Sequence, residues 1–260
     1  MKEIHDFNII ERRQHGEHYF SLVLCHQSNS PMPTVAAGQF VEVRVDDQAD
    51  VMLRRPISVH DVDPVVGTLT LLIQIVGKGT RRLSRLTVGD RLNLVYPLGH
   101  GFTTDLPFGS RALLVGGGAG IAPLYHLSKV LNARGVECTV LLGGRASGLI
   151  PVSDEFAPFG HVCITTDDGS RGHKGLVVSH PAFAERYDMI YTCGPTPMMK
   201  AVARSAAERG IRCEVSLENM MACGVGACLC CVTDTDQGHR CVCKDGPVFD
   251  ISTMRKWYAN

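Results

Sequence analysis

Residues 111 to 135, RALLVGGGAGIAPLYHLSKVLNARG, contain a complete strand, turn and helix. The apolar run RALLV predicts a buried strand of the kind found in parallel sheets. Apolar side chains then recur at the spacing of one helix face, at Leu124, Leu127, Val130 and Leu131, and Gly135 marks the end of the helix. Because a glycine turn separates the strand from the helix, the stretch predicts one unit of an α/β sheet.

Downstream, the chain keeps alternating between strand and helix patterns. Four segments have the composition of buried strands: ECTVLLGGR (137–145), GHVCITTDD (160–168), YDMIYTCGP (187–195) and RCEVSL (212–217). A second helix is predicted in TPMMKAVARSAAERG, residues 196–210. This alternation predicts a parallel sheet with helical crossovers over residues 101–217.

Upstream, residues 1–100 have a different pattern, typical of an all-β unit. Short β-branched and aromatic segments are separated by Gly, Pro and Asp: HYFSLVL (18–24), GQFVEVRV (38–45), TLTLLIQIV (68–76) and DRLNLVYPL (90–98). Several short strands at such intervals favour a small barrel. The predicted fold is therefore a β-barrel plus an α/β domain, followed by a small C-terminal segment, residues 218–260.

Charge and hydropathy narrow the range of partners. Lysine plus arginine equals aspartate plus glutamate at 26 each, and the pI is about 7.1, so no net field attracts nucleic acid or anionic lipid. No apolar run reaches the ~18 residues that span a bilayer, and the first residues lack the pattern of a secretory signal. We therefore expect no nucleic acid or membrane partner and a cytoplasmic location.

The C-terminal segment is rich in cysteine. Six of the eleven cysteines fall in the last forty residues, and Cys223, Cys228 and Cys231 have the spacing C-x4-C-x2-C. That spacing is the plant-type pattern for three ligands of a [2Fe–2S] cluster, whose fourth ligand comes later in the chain. Structural zinc is the alternative, but the later CVC at 241–243 provides no second C-x2-C knuckle. Spacing favours Cys231 over its neighbour Cys230.

Two glycine turns and two barrel motifs predict nucleotide binding. VGGGAGIAP (115–123) and TCGPTPMM (192–199) each follow a strand and precede a helix, where phosphate meets backbone N–H groups. Tight packing alone would also explain such glycines, and the G-x-G-x-x-G fingerprint is absent. In the barrel, LRRPISV (53–59) and IVGKGTRRLS (75–84) combine a bidentate arginine with a glycine turn.

These motifs, in this order, resemble the ferredoxin-NADP reductase superfamily over nearly the whole chain. The resemblance implies an FAD-binding, six-stranded antiparallel barrel and a nicotinamide-binding domain. The implied flavin contacts are Arg55, Pro56, Ile57, Ser58, Leu72, Ile73, Gln74, Gly79 and Thr80. The implied nicotinamide contacts are Gly117, Gly118, Ala119, Gly120, Gly194 and Pro195. Cys193 and Glu218 are the candidate catalytic residues, although Cys193 also suits a buried core and Glu218 a solvated strand end.

The stretches SLENMMACGVGACLCCV (216–232) and CKDGPVFD (243–250) resemble one family more closely, the electron-transfer subunits of class 1B dihydroorotate dehydrogenases. The resemblance implies cluster ligands Cys223, Cys228, Cys231 and Cys243. It also implies hydride exchange between NAD(H) and FAD, with single electrons passing through the cluster. The implied partner is an FMN-containing catalytic subunit, in a heterotetramer with two copies of each subunit. The surplus cysteines, Cys230 and Cys241, leave the ligand set open.

Other functions stay possible at this point. A subunit of a ferredoxin-NADP transhydrogenase or of a sulfhydrogenase would have the same barrel and cysteine loop, and a zinc-binding adaptor would need no redox cofactor. The choice between NADH and NADPH is also open. Arg145 or Arg171 would attract a 2′-phosphate, whereas Asp167 and Asp168 would repel it.

Overall fold

A closed antiparallel barrel forms the N-terminal part of the computed structural model, which describes residues 2–27, 33–46 and 50–259. Its strands are β1 (Glu3–His15), β2 (Tyr19–His26), β3 (Phe40–Val43), β4 (Arg55–Asp63), β5 (Thr68–Gln74) and β6 (Arg91–Leu98). They are arranged around the barrel in the order β1-β2-β5-β4-β3-β6. The predicted six-stranded barrel is confirmed.

Two of the barrel strands, β1 and β4, are not among the four strand segments predicted for residues 1–100. Strand β1 alternates charged residues with Phe7 and Ile9, which are buried inside the barrel. Strand β4 begins at the Arg55-Pro56 motif, and its first four residues are only half-buried because they line a cavity outside the barrel. The second barrel motif, IVGKGTRRLS (75–84), contains a short helix, α1 (Lys78–Leu83).

The second unit is a seven-stranded sheet. Its strands are β7 (Arg111–Gly117), β8 (Glu137–Gly144), β9 (His161–Thr166), β10 (His173–Lys174), β11 (Met189–Cys193), β12 (Arg212–Ser216) and β15 (Val248–Asp250), in the order β10-β9-β8-β7-β11-β12-β15. All neighbours pair in parallel except β12 and β15, which pair antiparallel. The predicted parallel sheet is confirmed, with one antiparallel strand added at its edge.

The two predicted helices cover this sheet. Helix α2 (Ala122–Ala133) buries Leu124, Leu127 and Leu131 and ends before Gly135, whose φ of +75° is easy only for glycine. Helix α3 (Thr196–Glu208) buries a face that includes Met199 and Val202. In the described part of the chain, no helix has the length and apolarity that crossing a membrane would need.

The C-terminal segment packs where the barrel meets the sheet. It contains a hairpin of β13 (Val232–Thr235) and β14 (Gly238–Cys241), followed by the short helices α4 (Val242–Asp245) and α5 (Arg255–Ala259) on either side of β15. Cys231, Val242 and Cys243 share one buried cluster with Phe40 and Leu98 of the barrel. Because β15 also extends the sheet through β12, the segment is anchored to both larger units.

An ion pair also joins the barrel to the sheet unit. Lys129 Nζ of α2 lies 2.6 and 2.7 Å from the two carboxylate oxygens of Asp61 in β4. Both side chains are partly shielded from water, which reduces screening of the pair. Helix α2, which begins at the glycine turn, is thus held against the barrel.

Candidate functional site

A cavity of about 640 Å³ lies at the carboxyl edge of the parallel sheet. Open α/β sheets bind ligands at this edge, where strand ends leave a crevice. The lining includes every residue expected to contact the nicotinamide: Gly117, Gly118, Ala119, Gly120, Gly194 and Pro195. Arg145 and Asp167, at the ends of β8 and β9, lie at its wall.

Glycine is needed where the two turns of this cavity meet. A methyl group on Gly120 would lie 2.3 Å from the backbone carbon of Cys193 and the backbone nitrogen of Gly194. Gly194 has a φ of +147°, and a methyl group on it would lie 2.7 Å from the carbonyl oxygen of Gly117. The two turns therefore touch backbone to backbone, an approach that a side chain at either glycine would prevent.

A second cavity, of about 390 Å³, lies against the outside of the barrel. Eight of the nine expected flavin contacts line it: Arg55, Pro56, Ile57, Ser58, Leu72, Ile73, Gln74 and Thr80. The ninth, Gly79, lies beside the Arg55 side chain, since a methyl group on Gly79 would be 2.6 Å from Arg55 Nε. Gly79 thus makes room for the guanidinium group at the cavity wall.

The hydroxyl of Thr80 has a local structural role. Its Oγ1 accepts hydrogen bonds from the N–H groups of Val76 and Gly77, at 3.0 and 3.1 Å. Arg55 Nη1 donates to the carbonyls of Leu53 and Arg54, at 2.8 and 3.1 Å. These bonds hold the turn and the guanidinium in place, so the cationic Arg55 is the polar group best suited to a flavin phosphate.

The two cavities share a wall. Gln74, Ala119 and Glu218 line both of them. Glu218 is exposed to the two cavities. The protein atoms around its carboxylate reduce its solvation, which raises its pKa. Ligands in the two cavities would therefore lie next to each other, with Glu218 between them.

Cys193 occupies a different position from the cavity-lining residues. Its side chain is fully buried, and burial raises the pKa of its thiol well above the ordinary value. Only its backbone reaches the glycine turn, through the contact with Gly120. The sequence motif thus marks the correct turn, whereas the thiol itself belongs to the core behind it.

The cysteine loop directs backbone N–H groups at sulfur atoms. Cys223 Sγ accepts from the N–H groups of Val225 at 3.4 Å and Ala227 at 3.3 Å. Gly226 N–H donates to Cys243 Sγ at 3.1 Å, and Cys243 N–H donates to Cys231 Sγ at 3.3 Å. Hydrogen bonds of this kind stabilise thiolates and tune the potential of an iron–sulfur cluster.

Two glycines give the loop its shape. Gly224 and Gly226 have φ values of +66° and +84°, a region that side chains disfavour. A methyl group on Gly226 would also lie 2.8 Å from Lys244 Cδ. The two glycines of the CGVGAC pattern therefore let the loop wrap closely and aim its N–H groups at sulfur.

The structure also distinguishes the paired cysteines. Cys230 is exposed, whereas Cys231 is buried and its sulfur accepts the Cys243 N–H. Cys241 and Cys243 are both buried, but the Cys243 sulfur is the one bonded to the loop, through Gly226. These contacts support Cys231 and Cys243 as ligands alongside Cys223 and the exposed Cys228.

The electrostatics of the loop suit a cationic centre. Burial disfavours the Cys223 thiolate, but N–H groups of Val225, Cys228 and Ala227 outweigh it and lower the pKa to about 6. Burial and the adjacent Cys231 sulfur raise the pKa of Cys243 to about 12. Cys243 would therefore lose its proton only with a metal charge to stabilise the thiolate beside Cys231, so the donor set fits a metal cofactor.

Among the described residues, no group of three or more His, Cys, Asp or Glu side chains converges as a single metal ion would require. A [2Fe–2S] cluster differs from a mononuclear zinc site because four cysteines are shared between two irons. In a [2Fe–2S] cluster each iron is bound by two cysteine thiolates. The four expected ligands therefore do not have to converge on a single metal ion.

Two cavity-lining features had no sequence signal. Tyr19 of β2 is fully buried and lines the sheet cavity, and burial raises its pKa to about 12. Residues 219–221 line the barrel cavity, where the chain leaves the sheet for the cysteine loop. Tyr19 looked like an ordinary strand aromatic, so only the packing of barrel against sheet identifies it.

A barrel with a cavity on its outer face, joined to a nucleotide-type sheet and a cysteine loop, defines an iron–sulfur flavin oxidoreductase of the ferredoxin reductase class. The solved structure of an NADH-dependent reduced ferredoxin-NADP oxidoreductase, described for flavin-based electron bifurcation, superimposes with a TM-score of 0.82 and 33% identity. The match covers 95% of this chain and 88% of that one. Phthalate dioxygenase reductase shares the fold, with a TM-score of 0.62 at 19% identity over 78% of this chain and 64% of that one.

Sequence relatives narrow the class. Residues 218–255 match the family described as the iron-sulfur cluster binding domain of dihydroorotate dehydrogenase B. The dihydroorotate dehydrogenase B (NAD(+)) electron transfer subunit of Geobacillus thermodenitrificans is 41% identical over 93% of this chain and 94% of its own length. That of Bacillus caldolyticus is 43% identical over 82% of this chain and 84% of its own. The chain belongs to the family of dihydroorotate dehydrogenase B electron transfer subunits.

Proposed function

We propose that this chain exchanges electrons between NAD(H) and a partner subunit, with FAD in the barrel cavity and a [2Fe–2S] cluster in the cysteine loop. The observation that carries the proposal is the shared wall of the two cavities at Gln74, Ala119 and Glu218. Hydride transfer requires two rings in contact, and adjacent cavities provide that contact. When bound, the flavin accepts two electrons as hydride and releases them singly, and the cluster carries one electron at a time.

The protein residues act mainly by position. The turns at Gly117–Gly120 and Gly194–Pro195 let backbone N–H groups approach the nicotinamide dinucleotide. Arg55 supplies positive charge for the flavin phosphates at the other cavity. Neither role transfers a proton, so the reaction depends on the orientation of the two ligands rather than on a strong acid or base.

Glu218 and Cys193 have different roles in this proposal. Glu218 lines both cavities, so its carboxylate would lie beside both ligands and help to exclude water from between them. Cys193 is a positioning residue, because its backbone supports Gly120 while its thiol stays in the core. Replacing the thiol with serine should therefore affect NADH binding less than altering Gly120.

For the cluster, the proposed ligands are Cys223, Cys228, Cys231 and Cys243. The hydrogen bonds to three of the sulfurs and the lowered pKa of Cys223 support this set. The segment 218–260 is accordingly a cluster-binding unit, beside a flavin barrel at 1–100 and a nucleotide domain at 101–217. None of the eleven cysteines forms a disulfide, which is the state that a reducing compartment maintains, and we place the protein in the cytoplasm.

The exposed surface near the cluster loop supports docking to a catalytic subunit. Met220 is 83% exposed, Leu229 64% and Val225 41%. Large apolar side chains on one surface mark interaction sites. The partner in this proposal is the FMN-containing dihydroorotate dehydrogenase subunit, and the assembly is a heterotetramer with two copies of each chain.

A second candidate function is supported by the similarity to the ferredoxin-NADP oxidoreductase structure, at a TM-score of 0.82. In that case the partner would be a bifurcating flavoprotein rather than a dihydroorotate dehydrogenase. The curated relatives at 41–43% identity favour the first candidate over this one at 33%. Co-purification from native extract, followed by identification of the partner and its flavins, distinguishes the two.

The proposed nicotinamide is NADH. Asp167 lines the sheet cavity, whereas Arg171 is paired with Asp154 at 3.0 Å. Arg145 lines the cavity too and keeps a cation in reach of the dinucleotide. The carboxylate of Asp167 would repel a 2′-phosphate, and the relatives are named as NAD(+)-dependent, so NADPH should be the weaker substrate.

Anaerobic purification tests the whole proposal. We expect about one FAD, two irons and two acid-labile sulfides per chain, and bleaching of both flavin and cluster on addition of NADH. A correctly folded chain that holds zinc, or FAD without iron and sulfide, would refute the electron relay.

A further inference from the structure

Glu42 in β3 is a buried carboxyl group without a partner. Its side chain is 1% exposed, and neither of its carboxyl oxygens has a hydrogen-bond partner in the described part of the chain. Most buried polar groups in proteins are paired, because an unpaired group loses its hydration without compensation. A side chain in this state needs a physical reason.

The Glu42 side chain faces the cysteine loop. A methyl group on Gly224 would lie 2.8 Å from Glu42 Cγ and 3.4 Å from Glu42 Oε1. Gly224 directly follows the proposed ligand Cys223 and has a φ of +66°. The carboxyl group and the first turn of the cluster loop are therefore in direct contact.

The same strand connects this contact to the flavin cavity. Glu42 pairs with Pro56 across β3 and β4, and Pro56 lines the barrel cavity. Arg54 Nη1 donates to the backbone carbonyl of Glu42 at 3.2 Å, but not to its carboxyl group. Glu42 thus lies between β4, which lines the flavin cavity, and the cluster loop. Its two carboxyl oxygens accept no hydrogen bond from the described residues of the barrel.

Packing alone does not account for this residue. Leu98 is also near Gly224, since the same added methyl group would lie 3.1 Å from Leu98 Cδ1, so the surroundings accept apolar atoms. Methionine has a similar length and would fill the space without an unpaired charge or dipole. The polar end of Glu42 must therefore be used by something outside the barrel.

We propose that Glu42 is a positioning residue for the iron–sulfur cluster, whose carboxyl group is the barrel's polar contact to the Cys223–Gly224 turn in the cluster-loaded protein. The inference rests on the proposed cluster site and deepens it. Residues that hydrogen-bond around metal ligands orient them and tune the metal, although they never touch it. Glu42 would do this from a different domain than the ligands.

The test compares Glu42→Met, which keeps the volume, with Glu42→Gln, which keeps a polar end. Three properties are measured on the anaerobic protein: the rate of iron loss to a ferrous chelator, the EPR spectrum of the reduced cluster, and its midpoint potential. We expect Glu42→Met to lose iron about tenfold faster and to show a shifted EPR spectrum and potential. Glu42→Gln should restore the rate and the spectrum towards those of the parent.

FAD content and flavin reduction by NADH serve as the folding control, because both report on the barrel independently of the cluster. If Glu42→Met folds and matches the parent in iron loss, spectrum and potential, the inference is wrong. Equal losses in Glu42→Gln and Glu42→Met would also overturn it, since the polar end would then have no role. A parent protein without iron would instead refute the proposed function itself.

A second comparison keeps the inference testable if Glu42→Met folds poorly. Gly224→Ala should loosen the cluster by collision with Glu42, and Glu42→Ala should relieve part of that effect in the double variant. Coupling of the two substitutions in a double-mutant cycle on iron-loss rates supports direct contact. Strict additivity would contradict it.

Discussion

Gly120→Ala is the substitution that most directly tests the contact between the two glycine turns. The added methyl group would lie 2.3 Å from the backbone of Cys193 and Gly194, whereas ordinary contacts begin at 3.4 Å. The obstructing atoms are backbone, so no side chain can rotate away. The turns must separate by about 1 Å, and a displacement of that size in a positioning element costs about a hundredfold in rate.

This magnitude can be stated as two measurable quantities. The second-order rate constant for flavin reduction by NADH should fall about a hundredfold, equivalent to about 2.7 kcal/mol of transition-state stabilisation. Forcing extra volume into packed structure should also lower the free energy of unfolding by about 1–3 kcal/mol. Anaerobic stopped-flow absorbance of the flavin measures the first, and denaturant unfolding measures the second.

Two controls isolate the effect. Gly120 does not line the barrel cavity, so FAD content should match the parent. Gly148→Ala adds a methyl group with nothing within 4 Å, and it should reduce flavin at the parent rate. If Gly120→Ala also reduces flavin at the parent rate, the two turns do not position the nicotinamide and the proposed binding mode is wrong.

Three further predictions concern the flavin, the nucleotide and the cluster. Gly79→Ala should displace the Arg55 guanidinium, whose Nε would lie 2.6 Å from the new methyl group, and so lower the amount of FAD that stays bound after gel filtration. Gly77→Ala adds a methyl group with nothing within 4 Å and should bind FAD normally. Equal FAD content in the two variants would argue against the Arg55 contact. Asp167→Ser should raise the NADPH-to-NADH ratio of kcat/KM by about tenfold, because a like charge near the 2′-phosphate is removed; an unchanged ratio would place the ribose elsewhere. Cys230→Ser should retain about two irons per chain, unlike serine variants of the four proposed ligands. Loss of iron from this variant would show that Cys230, rather than Cys231, is the ligand.

Local patterns in the sequence predicted most of the strands and both long helices. Strand periods, glycine punctuation and the helix after residue 121 appear in the structure at the expected places because they depend on neighbours a few residues apart. The cysteine spacing likewise marks a continuous loop, and its glycines have the positive φ values that close wrapping requires. Strand β1 has a less regular pattern, because the adjacent Ile9 and Ile10 interrupt the alternation of polar and apolar residues where the strand has a bulge.

The sequence by itself therefore determined the order of barrel, sheet and cysteine loop, because each depends on short-range periodicity and spacing. Tertiary structure alone decided which parts meet: β15 returns to the sheet edge beside β12, Glu218 is shared by two cavities, and Glu42 faces Gly224 from 182 positions earlier in the chain. Such contacts join residues far apart in sequence. No local pattern encodes them, since they arise only when separately patterned units bury their surfaces against one another.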